Sequence, residues 1–119
     1  MFSILTPTYN RVDTLHRVYD SLINQTLKDF EWIIIDDASS DSTDILVDKW
    51  KKESHDFSII YHKLNKNGGK SNAVNVGLEF CARDITIIAD SDDTFVPETL
   101  SELQGIWTTI FMTENDRRI

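Results

Sequence analysis

Cysteine occurs once in the 119 residues, at Cys81, which excludes an intrachain disulfide and any cysteine-based zinc site. A lone cysteine reads as a small core residue. No apolar run approaches the roughly 20 residues of a membrane span, and no basic segment followed by an apolar one opens the chain. The expectation is a soluble, cytoplasmic protein, peripheral at a membrane at most. Positive charge is scarce: 12 Lys and Arg stand against 20 Asp and Glu, a formal net charge of -8. That balance argues against a nucleic-acid backbone or an anionic membrane surface as the main partner. A small anionic ligand stays open, provided that a cation mediates the contact. Internal repeats, low-complexity tracts and linkers are missing as well. What is present is 40% hydrophobic residues in a length that suits one domain, residues 1–119. A chain of this size buries roughly two-thirds of its unfolded surface, enough for a real core.

Apolar runs alternate with amphipathic ones, the pattern of βαβ units around a mainly parallel sheet, so the fold class is α/β. The spacing predicts strands at Phe2–Thr6, Phe30–Ile35, Phe57–Leu64 and Asp84–Asp90, with Pro7 breaking the first. A helix is expected where Val12, Leu15, Val18, Leu22 and Ile23 recur at helical spacing. A second follows a turn with possible caps at Ser39, Asp41 and Ser42. A third, within "KSNAVNVGLEFCA", turns Ala73, Val76, Gly77 and Phe80 inward, and Pro97 opens a short fourth helix as its first residue. Four strands make a small doubly wound sheet, a domain that leans on something else. Near the C-terminus, Trp107, Ile110 and Phe111 are expected to cover an exposed sheet edge or to mediate homo-oligomerisation.

In an open parallel sheet, ligands bind beyond the carboxyl ends of the strands. Here "PTYNR", "DDASSD", "NKNGGK" and "DSDD" follow the four strands in turn, so every polar cluster falls on one edge. Singly, each has an ordinary explanation. Ser39, Asp41 and Ser42 read best as caps. Asp36 and Asp37 come directly off a buried strand, before any helix can begin, where a turn carboxylate satisfied by loop amides is the plain alternative. Lys70, beside two glycines, is either a loop cation or a phosphate contact. Tyr9 either packs over the sheet edge or offers a stacking face. His16, His55 and His62 show no partner spacing and read as surface or structural residues.

The acidic cluster in "IIADSDDTFVP" resists an ordinary explanation. If the strand stays extended past Ala89, Asp90 and Asp92 point to the same side. Two carboxylates aimed at one point are unfavourable unless a cation sits between them or one holds a proton. Hard oxygen donors suit Mg²⁺ or Mn²⁺, and Mg²⁺ is typically held by one or two carboxylates plus substrate phosphates. An acidic protein can therefore hold a diphosphate through a metal.

Taken in order, "ILTPTYNR", "QTLKDFEWIIIDDASSDST", "NGGKSNAVNVGL" and "IIADSDDTFVPETL" resemble the successive N-terminal motifs of family 2 glycosyltransferases. The resemblance covers about residues 2 to 103. It implies the GT-A fold, a Rossmann-like three-layer αβα sandwich, here in a shortened form. It also implies a nucleotide-diphosphate-sugar donor, with a uridine base the commonest, and a saccharide or lipid-linked acceptor. Carried over motif by motif, Pro7, Thr8 and Tyr9 line the base pocket with Arg11 close by. Asp37, with Asp36 as neighbour, accepts a hydrogen bond from base or ribose. Lys70 falls near the nucleotide, Asp90 near the ribose, and Asp92 is the direct metal ligand, with Asp90 its partner in the D-x-D pair. Asp93 either assists or caps the following helix. Where the family often has Ala-Arg-Asn in its third helix, this chain has Ala73-Val74-Asn75, so that arginine contact is absent.

A divalent cation bridging both phosphates would stabilise the leaving nucleoside diphosphate as a Lewis acid, while an acceptor hydroxyl attacks the cation-like sugar centre. An inverting enzyme of this type needs a carboxylate base, which in the family comes from the C-terminal half. Glu98, Glu102 and Glu114 carry no family context for that role. The expectation is a donor site without a complete acceptor site. A non-catalytic nucleotide-sugar-binding module of the same fold is one alternative. A phospho-accepting receiver domain is a distant one, since it needs acids after the first strand, where Thr8, Tyr9, Asn10 and Arg11 stand, and a late lysine, whereas none follows Lys70. Incubation with a small phosphodonor is expected to leave the chain unlabelled by intact mass, and stoichiometric labelling would restore the receiver.

Overall fold

Two strands of this chain are apolar on both faces, and that decides the architecture, because such strands need a layer of helices on each side. The computed structural model describes residues 1–53 and 56–107. The elements run β1 (Phe2–Thr8), α1 (Val12–Ile23), β2 (Phe30–Asp36), α2 (Thr43–Lys52), β3 (Ser58–Lys63), α3 (Lys70–Leu78) and β4 (Ile85–Ile88). Residues 99–107 form a further helix, α4. Every residue of β1 and β2 is buried. The strands form a four-stranded sheet in the order β3-β2-β1-β4, parallel throughout.

Strand alternation divides the core into two. On one face Phe2 and Ile4 of β1 and Phe30, Trp32 and Ile34 of β2 pack on Leu15, Val18 and Leu22 of α1, Val47 and Trp50 of α2, and Leu100 of α4. The Tyr19 and Trp50 rings stack with centroids 4.2 Å apart, and the Trp32 indole N–H donates to the Thr6 hydroxyl at 2.9 Å. On the other face Leu5, Ile33 and Ile35 meet Ala73 of α3. The result is the expected α/β/α sandwich.

Several boundaries differ from the sequence-based expectation, each for a local reason. β1 runs through Pro7 to Thr8 instead of stopping at Thr6. The Leu5 carbonyl accepts from Ala89 on the β4 side, and the Thr8 carbonyl accepts from Asp37 on the β2 side. Pro7, one residue before Thr8, therefore faces the β4 side, where the β1–β4 ladder has already ended at Leu5 and Ile88. A missing N–H costs nothing there. β3 and β4 are shorter than expected, Ser58–Lys63 and Ile85–Ile88. Pro97 lies in the turn ahead of α4 rather than at its first position. Ser42 is the N-cap residue of α2, but its side chain makes no capping bond. The Asp41 carboxylate accepts from the Thr43 amide instead. In α3, Ala73 and Gly77 are buried, Val76 is half-buried, and Phe80 lies beyond the helix end, also half-buried. Trp107 is 38% exposed on α4, while Ile110, Phe111 and Glu114 lie outside the described residues.

Gly77 sets how closely α3 approaches the sheet. A Cβ added there would stand 2.3 Å from Leu5 Cδ1 and 2.9 Å from Ile35 Cγ1, and both neighbours are fully buried. Gly77→Ala is expected to destabilise the fold by about 1–2 kcal/mol in urea unfolding, overpacking outweighing alanine's better helix propensity. Unchanged or increased stability would show that α3 can shift outward freely.

Candidate functional site

Strand order fixes where a ligand can sit. The chain steps outward from β1 to β2 to β3, then returns to the other side of β1 for β4. The crevice at that reversal lies beyond the carboxyl ends of β1 and β4. A cleft of about 350 Å³ occupies it, lined by Pro7, Thr8, Tyr9, Arg11, Asp37, Lys70, Ala73, Asp90, Ser91 and Asp92. Eight of the residues singled out in the sequence are thus brought to one cleft by four separate loops. Asp36 is not among them. Two lining residues escaped the sequence reading: Ala73, taken only as a core residue, and Ser91, the middle of the D-x-D triplet. Tyr9 is 47% exposed on the cleft, available to a planar ligand.

Asp36 and Asp37 are adjacent, so alternation sends them to opposite faces of the sheet. The Asp36 carboxylate is fully buried and accepts from the Ser39 amide at 2.8 Å and the Tyr61 hydroxyl at 2.5 Å. Burial and the Asp36 contact push the Tyr61 hydroxyl well above its ordinary pKa. The Asp37 carboxylate accepts from two successive amides, Gly68 at 2.8 Å and Gly69 at 2.9 Å. Gly69 has φ +91°, a conformation that L side chains rarely adopt. Asp37 therefore ties the end of β2 to the loop that opens α3 and delivers Lys70. A carboxylate has about four acceptor positions, so two amides leave it capacity toward the cleft.

The loops after β1 and β2 are fastened to each other. Asn10, at φ +50°, accepts through Oδ1 from the amides of Ser40 at 2.8 Å and Asp41 at 3.3 Å. Its own amide donates to the Ser39 hydroxyl at 2.9 Å. The Asp41 carboxylate accepts from the Val12 amide at 3.1 Å and from Thr43. Burial raises the pKa of Asp41, but those hydrogen bonds outweigh it and hold the group below its ordinary value. Asp41 and Ser39 are thus structural, as capping residues and loop ties.

After β4 the chain does not stay extended; it turns at Ser91 and Asp92. Asp93 closes this turn, its amide donating to the Asp90 carbonyl at 3.0 Å and its carboxylate accepting from the Asp90 amide at 2.8 Å. The Asp90 carboxylate is paired across the cleft with Lys70 Nζ at 2.5 Å. That hydrogen bond, and the Asp90 charge, raise the Lys70 pKa above its ordinary value. Asp92 is exposed and has no hydrogen-bond or ion-pair partner among the described residues. No three His, Cys, Asp or Glu side chains converge as a closed metal site among the described residues. The donor set fits a hard cation that completes its shell with phosphate and water. Among the described residues, the Thr8 hydroxyl is a buried polar atom without a partner. His62 packs against Phe80, centroids 5.1 Å apart, a structural role; His16 is exposed, and His55 lies outside the described residues.

The fold recurs in known proteins. The family model of glycosyl transferase family 2 matches residues 3–109. A poly(ribitol-phosphate) beta-N-acetylglucosaminyltransferase, TarP of Staphylococcus aureus, is 35% identical over 106 residues, covering 85% of this chain and 31% of that protein. The crystal structure of S. aureus TarS 1-349 in complex with UDP-GlcNAc superposes with a TM-score of 0.81 at 31% identity, over 87% of this chain and 30% of that one. A mannosyltransferase from Pyrobaculum calidifontis in complex with GDP-Man and Mn²⁺ gives a TM-score of 0.78 at 26% identity, over 83% of this chain and 30% of that one. The chain spans about a third of the length of these relatives. No helix among the described residues is long and apolar enough to cross a membrane. The sheet matches that of GT-A glycosyltransferases, and the chain belongs to glycosyl transferase family 2.

Proposed function

We propose that this chain holds a nucleotide-diphosphate sugar, a UDP-sugar, in the cleft between β1 and β4 and supplies the donor half of a metal-dependent glycosyl transfer. The observation that carries the reading is how the acids at the strand ends are divided. Asp36, Asp37, Asp41 and Asp93 each accept hydrogen bonds from backbone amides. Asp92 has no hydrogen-bond or ion-pair partner among the described residues, and the Asp90 carboxylate is paired with Lys70. The two carboxylates not committed to backbone amides are the two that line the cleft on the β4 side. Uridine is favoured because a similar structure carries UDP-GlcNAc, although another carries GDP-Man.

In this reading Tyr9 offers its ring to the base, with Pro7, Thr8 and Arg11 beside it. Asp37 keeps the glycine loop in place and turns its spare acceptor capacity toward base or ribose. Asp36, on the opposite face, holds the Ser39 amide and the Tyr61 hydroxyl. Asp92 and Asp90 would hold Mg²⁺ or Mn²⁺, which when bound supplies Lewis-acid stabilisation of the departing diphosphate. Lys70 faces them across the cleft with a positive charge. Glu98 and Glu102 do not line the cleft, so neither is assigned as the base that deprotonates a saccharide or lipid-linked acceptor. That placement favours a second reading for the chain by itself, a nucleotide-sugar-binding module that holds a donor without transferring its sugar. Release of free sugar from a UDP-sugar by the purified chain would decide for the enzyme.

Calorimetry with UDP in the presence and absence of Mn²⁺ tests the shared claim. Mn²⁺ is expected to tighten UDP binding, and Asp92→Ala to remove about ten- to hundredfold of that affinity, the weight of one charge-assisted contact. Metal-independent binding, or unchanged binding in Asp92→Ala, would overturn the reading.

A further inference from the structure

The motif "QTLKDFEWIIIDDASSDST" opens with a pair, Gln25 and Thr26, for which the cleft has no direct use. Gln25 is 2% exposed and lies just past the end of α1. Its side-chain amide is satisfied by partners in two separate parts of the chain. Nε2 donates to the Ser21 carbonyl at 3.1 Å and to the Val96 carbonyl at 2.8 Å. Oε1 accepts from the Leu100 amide at 3.1 Å, one of the first-turn amides of α4 that have no partner within the helix. Thr26 adds to the same joint, its amide donating to the Pro97 carbonyl at 2.9 Å and its hydroxyl to that carbonyl at 3.3 Å.

These bonds hold the far end of the segment that carries the cleft acids. Its near end is fixed by the Ala89 amide on the Leu5 carbonyl at 2.9 Å. Between fully buried Ala89 and fully buried Leu100, Phe95 alone packs against the core cluster, and only in part. Val96 is 63% exposed. Apolar burial therefore does little to fix where Asp90 and Asp92 stand. An apolar side chain would fill the Gln25 site without the cost of desolvating an amide, but it would leave the Leu100 amide without its partner and the Val96 carbonyl tied only to the nearby Thr99 amide.

We propose that Gln25 is a positioning residue for the cation corner of the cleft: by clamping Val96 and Leu100 to the end of α1, it holds the Asp90–Asp92 turn in place against the mutual repulsion of its carboxylates. The inference rests on the donor-site reading above. A cation that must first gather a loose loop binds more weakly than one that meets a loop already placed. Gln25 therefore governs the share of nucleotide affinity that the metal contributes, and leaves alone the share from Tyr9 and its neighbours on β1.

That division separates positioning from a purely structural role. UDP affinity is measured by calorimetry with and without Mn²⁺ for the unaltered chain, Gln25→Met and Thr26→Val, well below the unfolding midpoint of each. Methionine keeps nearly the volume of glutamine and removes all three hydrogen bonds. Thr26 is exposed, so Thr26→Val folds even if Gln25→Met does not, and releases only the weaker hydroxyl bond. In Gln25→Met the Mn²⁺ enhancement is expected to fall about three- to tenfold, the weight of one hydrogen bond. Thr26→Val is expected to lose about twofold, and UDP alone to bind all three chains equally. An undiminished Mn²⁺ enhancement in folded Gln25→Met, or in Thr26→Val where Gln25→Met does not fold, overturns the anchor while leaving the donor site standing. Equal weakening of UDP binding with and without Mn²⁺ also overturns it, as a general structural defect would do that. No Mn²⁺ enhancement in the unaltered chain overturns the donor-site reading itself, and the anchor with it.

Discussion

Two hydrogen bonds from the Gly68 and Gly69 amides to the Asp37 carboxylate join the end of β2 to the start of α3, and the shape of the cleft depends on them. Amides bonded to a charged acceptor contribute about 1.5–3 kcal/mol each, so this clamp is strong for its size. It fixes Gly69 at its positive φ and starts α3 at Lys70, which places the lysine opposite Asp90. Through α3 the same clamp is continuous with the close contact of Gly77 against Leu5 and Ile35. Loop, helix and sheet are thus set by one carboxylate that is itself 4% exposed.

The acidity of the chain looks different once its carboxylates are separated by what they bond. A formal charge of -8 would be a poor starting point for binding a diphosphate if every strand-end acid faced the ligand. Most do not. Backbone amides take Asp36, Asp37, Asp41 and Asp93, so backbone dipoles satisfy these charges from within. Lys70 neutralises Asp90 across the cleft. Asp92 is exposed and has no hydrogen-bond or ion-pair partner among the described residues. The charges remain, but amide dipoles and Lys70 soften the negative potential that an anionic ligand meets at this edge.

The layout of the chain was legible because it rests on period and burial. Phe30–Ile35 reads as an interior strand, and Val12, Leu15, Val18 and Leu22 as a helix face, without any tertiary information. The strand-end rule then located the cleft, since it needs only the order of the elements. What could not be read was the destination of each polar group. Asp36 and Asp37 are equivalent in the sequence, and only the pleat, sending one to Tyr61 and the other to the glycine loop, distinguishes them. Pro7 breaks a strand pattern on paper but lies past the end of the β1–β4 ladder, on the side away from β2. The turn at Ser91 and Asp92 departs from the extended path because Asp93 closes it, a local bond that no periodicity records. Nothing in the sequence signalled the long-range bonds of Gln25, because Val96 and Leu100 lie more than 70 positions away in the chain.

The chain spans about a third of the length of the longer glycosyltransferases it resembles, and the proposed donor site at β1 and β4 can be tested in the chain by itself. The most direct test is where a paramagnetic cation sits. Amide resonances of the chain with bound UDP are followed by nuclear magnetic resonance as Mn²⁺ is added in small amounts. The account predicts selective broadening at Asp90, Ser91 and Asp92, extending to Tyr9 and Lys70 across the cleft, with Asp29 and Arg83 at the opposite end of the sheet left sharp. Broadening centred away from the β1–β4 crevice, or uniform over the surface, would contradict it.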